Sequence, residues 1–117
     1  MAFLKDTIED PLSPLLEFKN DIDASIGTFI TLLVKTFLNK HKDIIDKAIR
    51  TDIEINTELH FSITLKEDNS DNRDIIFEWL RDYKATNIWE IYPVYFQIAP
   101  GNIITLIKSK EVIIGEA

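Results

Sequence analysis

The chain has 117 residues, a formal net charge of −7 and no cysteine, with 45% apolar and 28% charged residues. This length and composition are typical of one globular domain that needs no disulfide or structural metal to fold. The lack of cysteine excludes disulfides, thiolate nucleophiles and cysteine-based metal sites. Residues 51–117 carry twelve acids and six bases, which opposes nucleic-acid binding because phosphate recognition depends on Lys and Arg.

A long helix is predicted near the N-terminus. Ser13 and Pro14 are typical of a helix start, and the cations in residues 39–42 suit a helix end. Apolar residues between them recur at steps of three or four, which predicts one stripe that faces the core. This stripe comprises Leu15, Phe18, Ile22, Ile26, Phe29, Leu33 and Phe37.

Two further short elements are predicted in the first fifty residues. Asp43 resembles the N-terminus of a short helix that carries Ile44, Ile45, Ala48 and Ile49. The residues before Pro11 are expected to form another short helix or a docked arm. The most apolar stretch, residues 25–38, is too short to span a bilayer, and the N-terminus does not resemble a secretory signal. We therefore expect a soluble, cytoplasmic protein that does not bind a membrane.

The pattern changes to a period of two at Asp52. Apolar and polar residues alternate from Asp52 to Lys66, which predicts a half-buried strand. A polar turn then leads into a helix over residues 71–84. Arg81 and Lys84 lie in its last turn, where the helix dipole favours positive charge. The length of this connection allows a helical crossover between parallel strands.

The C-terminal third is predicted to form a β-hairpin. Its strands are residues 88–98 and 103–114, and Pro100 and Gly101 occupy the central positions of a type II turn. The complete prediction is a single α+β domain over residues 1–117. Residues 1–50 form a helical part, and residues 51–117 form a β-α-β-β part with a small, mixed, three-stranded sheet packed on the helices.

Few residue groups suggest chemistry. His60 and Glu58 share the polar face of the predicted strand. A histidine beside a carboxylate could form a metal or proton-transfer site, but the pattern is unspecific and fits an exposed strand surface equally well. The polar run of residues 68–74 lacks the glycine and glutamate of a calcium loop, and it fits a helix-capping turn. Three glycines in the whole chain are too few for a phosphate-binding loop. We predict no catalytic residue, cofactor or metal site.

The hairpin offers the strongest candidate interface, because its first strand is apolar on both faces although Pro93 interrupts it. A chain this short has little material with which to cover both faces. The alternative is that another segment of the same chain covers the second face. The interface residues predicted on this basis are Trp89, Ile91, Tyr95, Ile104 and Leu106.

Two functions follow from these patterns. The first is a non-enzymatic, acidic interaction or assembly protein that binds a protein partner or itself, with a homodimer expected. The second is a small-molecule-binding domain or minor enzyme with a pocket between helix 71–84 and the sheet. Trp79, Tyr83 and Tyr92 are the residues predicted to line that pocket.

Overall fold

The computed structural model describes residues 12–51, 57–107 and 110–115. The elements run in the order α1 (Leu12–Lys40), β1 (Ile45–Arg50), β2 (Leu59–Leu65), α2 (Ser70–Lys84), α3 (Ile88–Ile91), β3 (Val94–Ile98), α4 (Gly101–Leu106) and β4 (Glu111–Ile114). The predicted α+β class and the long N-terminal helix are confirmed. The arm predicted before Pro11 lies outside the described residues.

The sheet has four strands in the order β3-β2-β1-β4, rather than the three predicted. Strand β1 pairs antiparallel with both β2 and β4, and β2 pairs parallel with β3. The sheet is therefore mixed, as predicted. Helix α2 makes the predicted crossover between two parallel strands, β2 and β3.

Strand β2 confirms the period of two over Leu59–Leu65, whereas the described residues 57, 58 and 66 of the predicted strand lie outside it. Ser62, on the face predicted to be exposed, is buried. Leu59, Phe61, Ile63 and Leu65 are buried in the main core cluster, with residues of α1 and α2. The intervening residues His60, Ser62 and Thr64 belong to the opposite face of the strand. Residues 52–56 of the predicted strand lie outside the described residues.

The short helix predicted from Asp43 is wrong, because residues 45–50 form strand β1. Ala48 pairs with Ile63 of β2 on one side and with Ile114 of β4 on the other, so β1 lies between two antiparallel neighbours. The apolar spacing in so short a segment fits a helix and a bulged strand equally well. Pairing with the long strand β2, a contact distant in sequence, decides between them.

The predicted C-terminal hairpin is also wrong. Pro100 adopts an extended conformation, with ψ of 146°, and caps helix α4 rather than forming a type II turn. Strand β4 then joins the sheet beside β1, at the edge opposite β3. Residues 88–91 form the one-turn helix α3, so Pro93 precedes β3 instead of interrupting it. This arrangement removes the conflict between the proline and the strand.

Helix α2 begins where side chains satisfy its first backbone N–H groups. Asn69 is the N-cap, and its Oδ1 accepts a hydrogen bond from the backbone N of Asn72 at 2.8 Å. Arg73 donates two hydrogen bonds to the Asp68 carboxylate, at 2.5 and 2.7 Å. The polar run of residues 68–74 thus forms the predicted capping turn.

The apolar stripe predicted to face the core along α1 is largely exposed. Five of its seven members are exposed, and only Ile26 and Phe37 are partly buried against the core. The residues that pack on the sheet are instead Ile30, Val34 and Leu38. Helix α1 carries a second apolar stripe on another face, and that stripe forms the contact with the core.

Two leucines of α1 test which stripe supports the fold. Leu38 is fully buried, whereas Leu32, on the exposed side of the helix, is 58% exposed. We expect Leu38→Ala to lower the free energy of unfolding of the monomer by about 2–5 kcal/mol, because it leaves a cavity in the core. Leu32→Ala is the matched control and should change it by less than about 0.5 kcal/mol. Urea denaturation measures both, and equal losses would contradict this assignment of the faces.

Candidate functional site

The candidate site is the outer face of α1, which we define as Leu15, Phe18, Ile22, Phe29, Leu32 and Leu33. These six side chains are 41–65% exposed, whereas Ile30, Val34 and Leu38 on the inner face are at most 2% exposed. At 3.6 residues per turn, the centres of the two faces lie roughly 140° apart around the helix axis. The outer face therefore points away from the sheet on which the inner face packs.

The outer face is regularly spaced along α1. Positions 15, 18, 22, 25, 29, 32 and 36 follow alternating steps of three and four, and only Ser25 and Thr36 among them are polar. Leu33 lies next to Leu32 on the same side of the helix. Alternating steps of three and four are the spacing with which one helix packs along another in a coiled coil.

The apolar area of the outer face is large for a protein of this size. Six such side chains present on the order of 600 Å² of surface, at the upper end of the largest patch on a typical monomer. Exposed apolar residues are common singly, but a continuous stripe of them is typical of an interaction surface.

Two polar contacts hold the inner face of α1 against the rest of the protein. The buried carboxylate of Asp23 accepts a hydrogen bond from the Tyr92 hydroxyl at 2.5 Å and pairs with Lys19 at 2.6 Å. The hydrogen bond from Lys19, followed by that from Tyr92, lowers the pKa of Asp23 below its ordinary value of 3.8. This contact joins α1 to the segment between α3 and β3, so the helix cannot roll without losing it.

The second polar contact lies about two turns further along α1. Buried Arg50 of β1 donates from Nη1 to Thr31 Oγ1 at 3.2 Å, and Thr31 in turn donates to the carbonyl of Gly27 at 2.7 Å. Arg50 Nε has no hydrogen-bond partner among the residues that the structure describes. Together with Asp23, this contact fixes which face of α1 meets the sheet.

Three of the predicted interface residues lie at the β3 edge of the sheet, where helix α3 meets strand β3. Ile91 is 64% exposed, Tyr95 is exposed, and Trp89 is half-buried against Tyr95 with ring centroids 5.6 Å apart. Tyr95 also stacks on His60 of the neighbouring strand at 4.6 Å. These residues form a small aromatic patch, and its role as an interface stays a prediction.

The other two predicted interface residues belong to α4. Ile104 is 2% exposed and packs with Ile49 and Ala99 in a small second core. Its predicted exposure to a partner is therefore wrong, because α4 folds back over the second face of the sheet. The side chain of Leu106 lies outside the described residues.

The three residues predicted to line a ligand pocket are packed together. Trp79 stacks on Tyr83 with ring centroids 5.2 Å apart, and the Tyr83 hydroxyl donates to the Tyr92 carbonyl at 2.6 Å. Tyr83 and Tyr92 are buried, and burial raises the pKa of Tyr83 to about 12. The rings of Trp79 and Tyr83 occupy the expected pocket beside the sheet, where Trp79 also lies 5.7 Å from the Phe96 ring of β3. The Tyr92 side chain instead reaches α1, where its hydroxyl bonds to Asp23.

Other candidate chemistry is sparse. His60 Nε2 lies 3.3 Å from a carboxylate oxygen of Glu58 at the surface, as their shared strand face predicted. Across the described parts of the chain, no three His, Cys, Asp or Glu side chains converge as a metal site would require. In the same residues, no helix combines the length and apolar character needed to cross a bilayer.

Comparisons of this chain with protein-family models, curated proteins and solved structures found no match.

The sequence analysis placed the interface on the predicted hairpin and missed the outer face of α1. The missed signal is that α1 has apolar residues on two faces, since Ile30, Val34 and Leu38 form a stripe separate from Phe18, Ile22 and Phe29.

The Asp23 contact predicts a pH-dependent loss of stability. Because the folded-state pKa of Asp23 is lowered, its carboxylate stabilises the fold above the ordinary pKa of 3.8, and this contribution disappears as the pH falls through the folded-state value. Asp23→Asn should therefore destabilise the protein at neutral pH. The difference from wild type should shrink as the pH falls below about 4.

Urea denaturation at several pH values measures this difference directly. Asp21→Asn, on the exposed side of the same helix turn, is the matched control and should change the midpoint little at any pH. A difference between wild type and Asp23→Asn that stays constant down to pH 3 would contradict the assigned role of the Asp23 carboxylate.

Proposed function

We propose that this protein is a non-enzymatic interaction protein that binds a helical segment of a protein partner through the outer face of α1. The observation that carries the proposal is the exposure of six apolar side chains, 41–65% each, along one continuous side of a helix. A partner helix with its own apolar stripe would remove this surface from water, which is the main driving force of such associations.

The rigidity of α1 supports this role. The inner face is held by the core contacts of Val34 and Leu38 and by the hydrogen bonds of Asp23 and Thr31. The part of the outer face formed by Phe29, Leu32 and Leu33 is therefore presented on a segment of α1 whose orientation is already fixed. Binding a partner there costs little conformational entropy, because the surface is already ordered, and this favours affinity.

Charge supports a protein partner rather than a nucleic acid. The chain carries a net charge of −7, and a polyanionic ligand would be repelled at long range. Apolar anchors with few charges among them are typical of the centre of a protein–protein interface.

The perturbed titratable groups support a binding role over catalysis. The pKa of Asp68 is lowered by its hydrogen bonds with Arg73, which belong to the cap of α2. The pKa of Tyr92 is raised first by its hydrogen bond to Asp23, which belongs to the attachment of α1. A catalytic centre is recognised by shifted groups that converge in a cleft. Asp68 and Arg73 do line a cavity of about 390 Å³, but they are paired with each other there. Asp23 and Tyr92 are likewise paired with each other, so both pairs support structural contacts.

The alternative, a small-molecule site between α2 and the sheet, requires space next to Trp79 and Tyr92. Stacking of Trp79 on Tyr83, and the hydrogen bond from Tyr83 to Tyr92, occupy that space. A ligand would have to displace buried aromatic rings, so this packing favours the interaction function over the ligand-binding one.

Charged substitutions on the outer face test the proposal. Phe18→Asp with Phe29→Asp should abolish association through this face, because each buried carboxylate would lose its hydration without gaining a partner. Asn20→Asp with Ala24→Asp adds the same charge on exposed positions of α1 outside the outer face. This control pair should associate like wild type.

Two measurements together cover the possible partners. Sedimentation equilibrium detects self-association, and quantitative co-purification of the tagged full chain from its native cells detects a different protein. The proposal requires that the Phe18 and Phe29 pair lose an association which the control pair retains. A wild-type chain that associates with no protein, or two pairs that behave alike, would overturn it. Thermal unfolding of each pair by circular dichroism confirms that the variants fold.

A further inference from the structure

We propose that the helix bound by the outer face of α1 belongs to a second copy of this chain, and that the two α1 helices pair antiparallel about a two-fold axis near residues 23 and 24. This inference rests on the proposed function and names its partner. It is carried by the symmetry of the outer face, by the charge distribution along α1 and by the position of the sheet.

The outer face complements itself when it is reversed. With the axis between residues 23 and 24, Leu15 lies opposite Leu32 of the second copy, and Phe18 lies opposite Phe29. Ile22 then lies opposite Ser25, next to the axis. In this register each large side chain at one end of the stripe meets a large one from the other end, and the small Ser25 leaves room at the centre. Such reversal symmetry is what a two-fold interface requires.

Charge along α1 favours the antiparallel arrangement over the parallel one. Residues 12–25 carry three acids and one Lys, a net charge of −2. Residues 26–40 carry two Lys and no acid, a net charge of +2. An antiparallel pair places each negative half beside a positive half, whereas a parallel pair places like charges together. The difference acts within about 10 Å, the distance over which charges interact at ordinary salt.

The fold leaves room for a second helix. The sheet packs on the inner face of α1, where the described burial begins at Asp23 and continues to Leu38. Before Asp23 both sides of the helix are exposed, since Leu16 is exposed as well as Leu15 and Phe18. In the antiparallel pair the two sheets lie at opposite ends and on outer sides, so neither obstructs the contact.

The area agrees with a reversible dimer. Each copy would bury on the order of 600 Å² of the outer face, or about 1,200 Å² in total, which is the lower limit for stable and specific interfaces. A dimer that dissociates on dilution is therefore expected, and it must be measured over a range of protein concentrations.

The first experiment tests the dimer and its face. Sedimentation equilibrium of the full chain from about 1 to 300 µM should fit a monomer–dimer equilibrium for wild type. Phe18→Asp with Phe29→Asp should raise the dimer Kd by at least about tenfold, as loss of central anchors does. The control pair Asn20→Asp with Ala24→Asp should change the Kd by less than about threefold.

The second experiment tests the orientation and uses the natural absence of cysteine. In the antiparallel pair the two copies of position 15 are separated by 17 residues of helix, about 25 Å, too far for a disulfide. Leu15→Cys and Leu32→Cys should therefore fail to cross-link when each is oxidised alone. A mixture of the two should form a disulfide-linked dimer, because positions 15 and 32 are opposite.

Each outcome decides between the possibilities. Cross-linking of Leu15→Cys alone would overturn the antiparallel pairing and indicate a parallel one. A strict monomer at 300 µM, or a dimer that Phe18→Asp with Phe29→Asp leaves unchanged, would overturn the inference. If the monomer still captured a different protein through Phe18 and Phe29, the proposed function would stand without this inference. If it captured none, both would fail.

Discussion

Helix α1 has two apolar faces, and the sheet can cover only one of them. The side of the sheet that meets α1 also receives Ile76, Leu80 and Tyr83 of α2, so α1 can bury only a narrow stripe there. The inner face fits this space because Val34 and Leu38 are joined on it by small or polar residues such as Gly27 and Thr31. The larger side chains, Phe18 and Phe29 among them, are consequently left on the solvent side.

Directional polar contacts explain why the choice of face is fixed. Apolar burial alone does not distinguish strongly between two stripes of similar hydrophobicity, since the hydrophobic effect is not directional. The Asp23 carboxylate and the Thr31 hydroxyl each need a specific partner when buried, and they find them in Tyr92 and Arg50. Rotation of α1 by half a turn would break both contacts and bury unpaired polar groups. The same contacts that attach the helix thus hold its larger apolar face outward.

The sequence predicted the elements whose signals are local. Strand β2 was identified because its sustained alternation has a period of two, which does not match the helical period of 3.6. Helix α2 was identified because a capping turn precedes it and cations lie in its last turn. Strand β1 was missed because its six residues fit two periods, and only pairing with β2 decides between them. Pro100 and Gly101 fit a type II turn, which predicted the hairpin. Proline is also favoured at the start of a helix, and that is where Pro100 lies, before α4. The pairing of β4 with β1 joins residues more than sixty positions apart, such as Arg50 and Glu111, and leaves no local signal.

The candidate surface was missed for a related reason. Steps of three or four locate a helical stripe but do not say what covers it, and the prediction assumed that the longest stripe faces the core. In α1 the longest stripe lies on the side of the helix that points away from the sheet, so Phe29 and Leu33 are exposed in the same turns in which Ile30 and Val34 are buried. The shorter stripe packs on the sheet and leaves the longer one in solvent. A helix with two apolar stripes in its sequence therefore has one more than a single sheet can cover, and the uncovered stripe is the candidate surface.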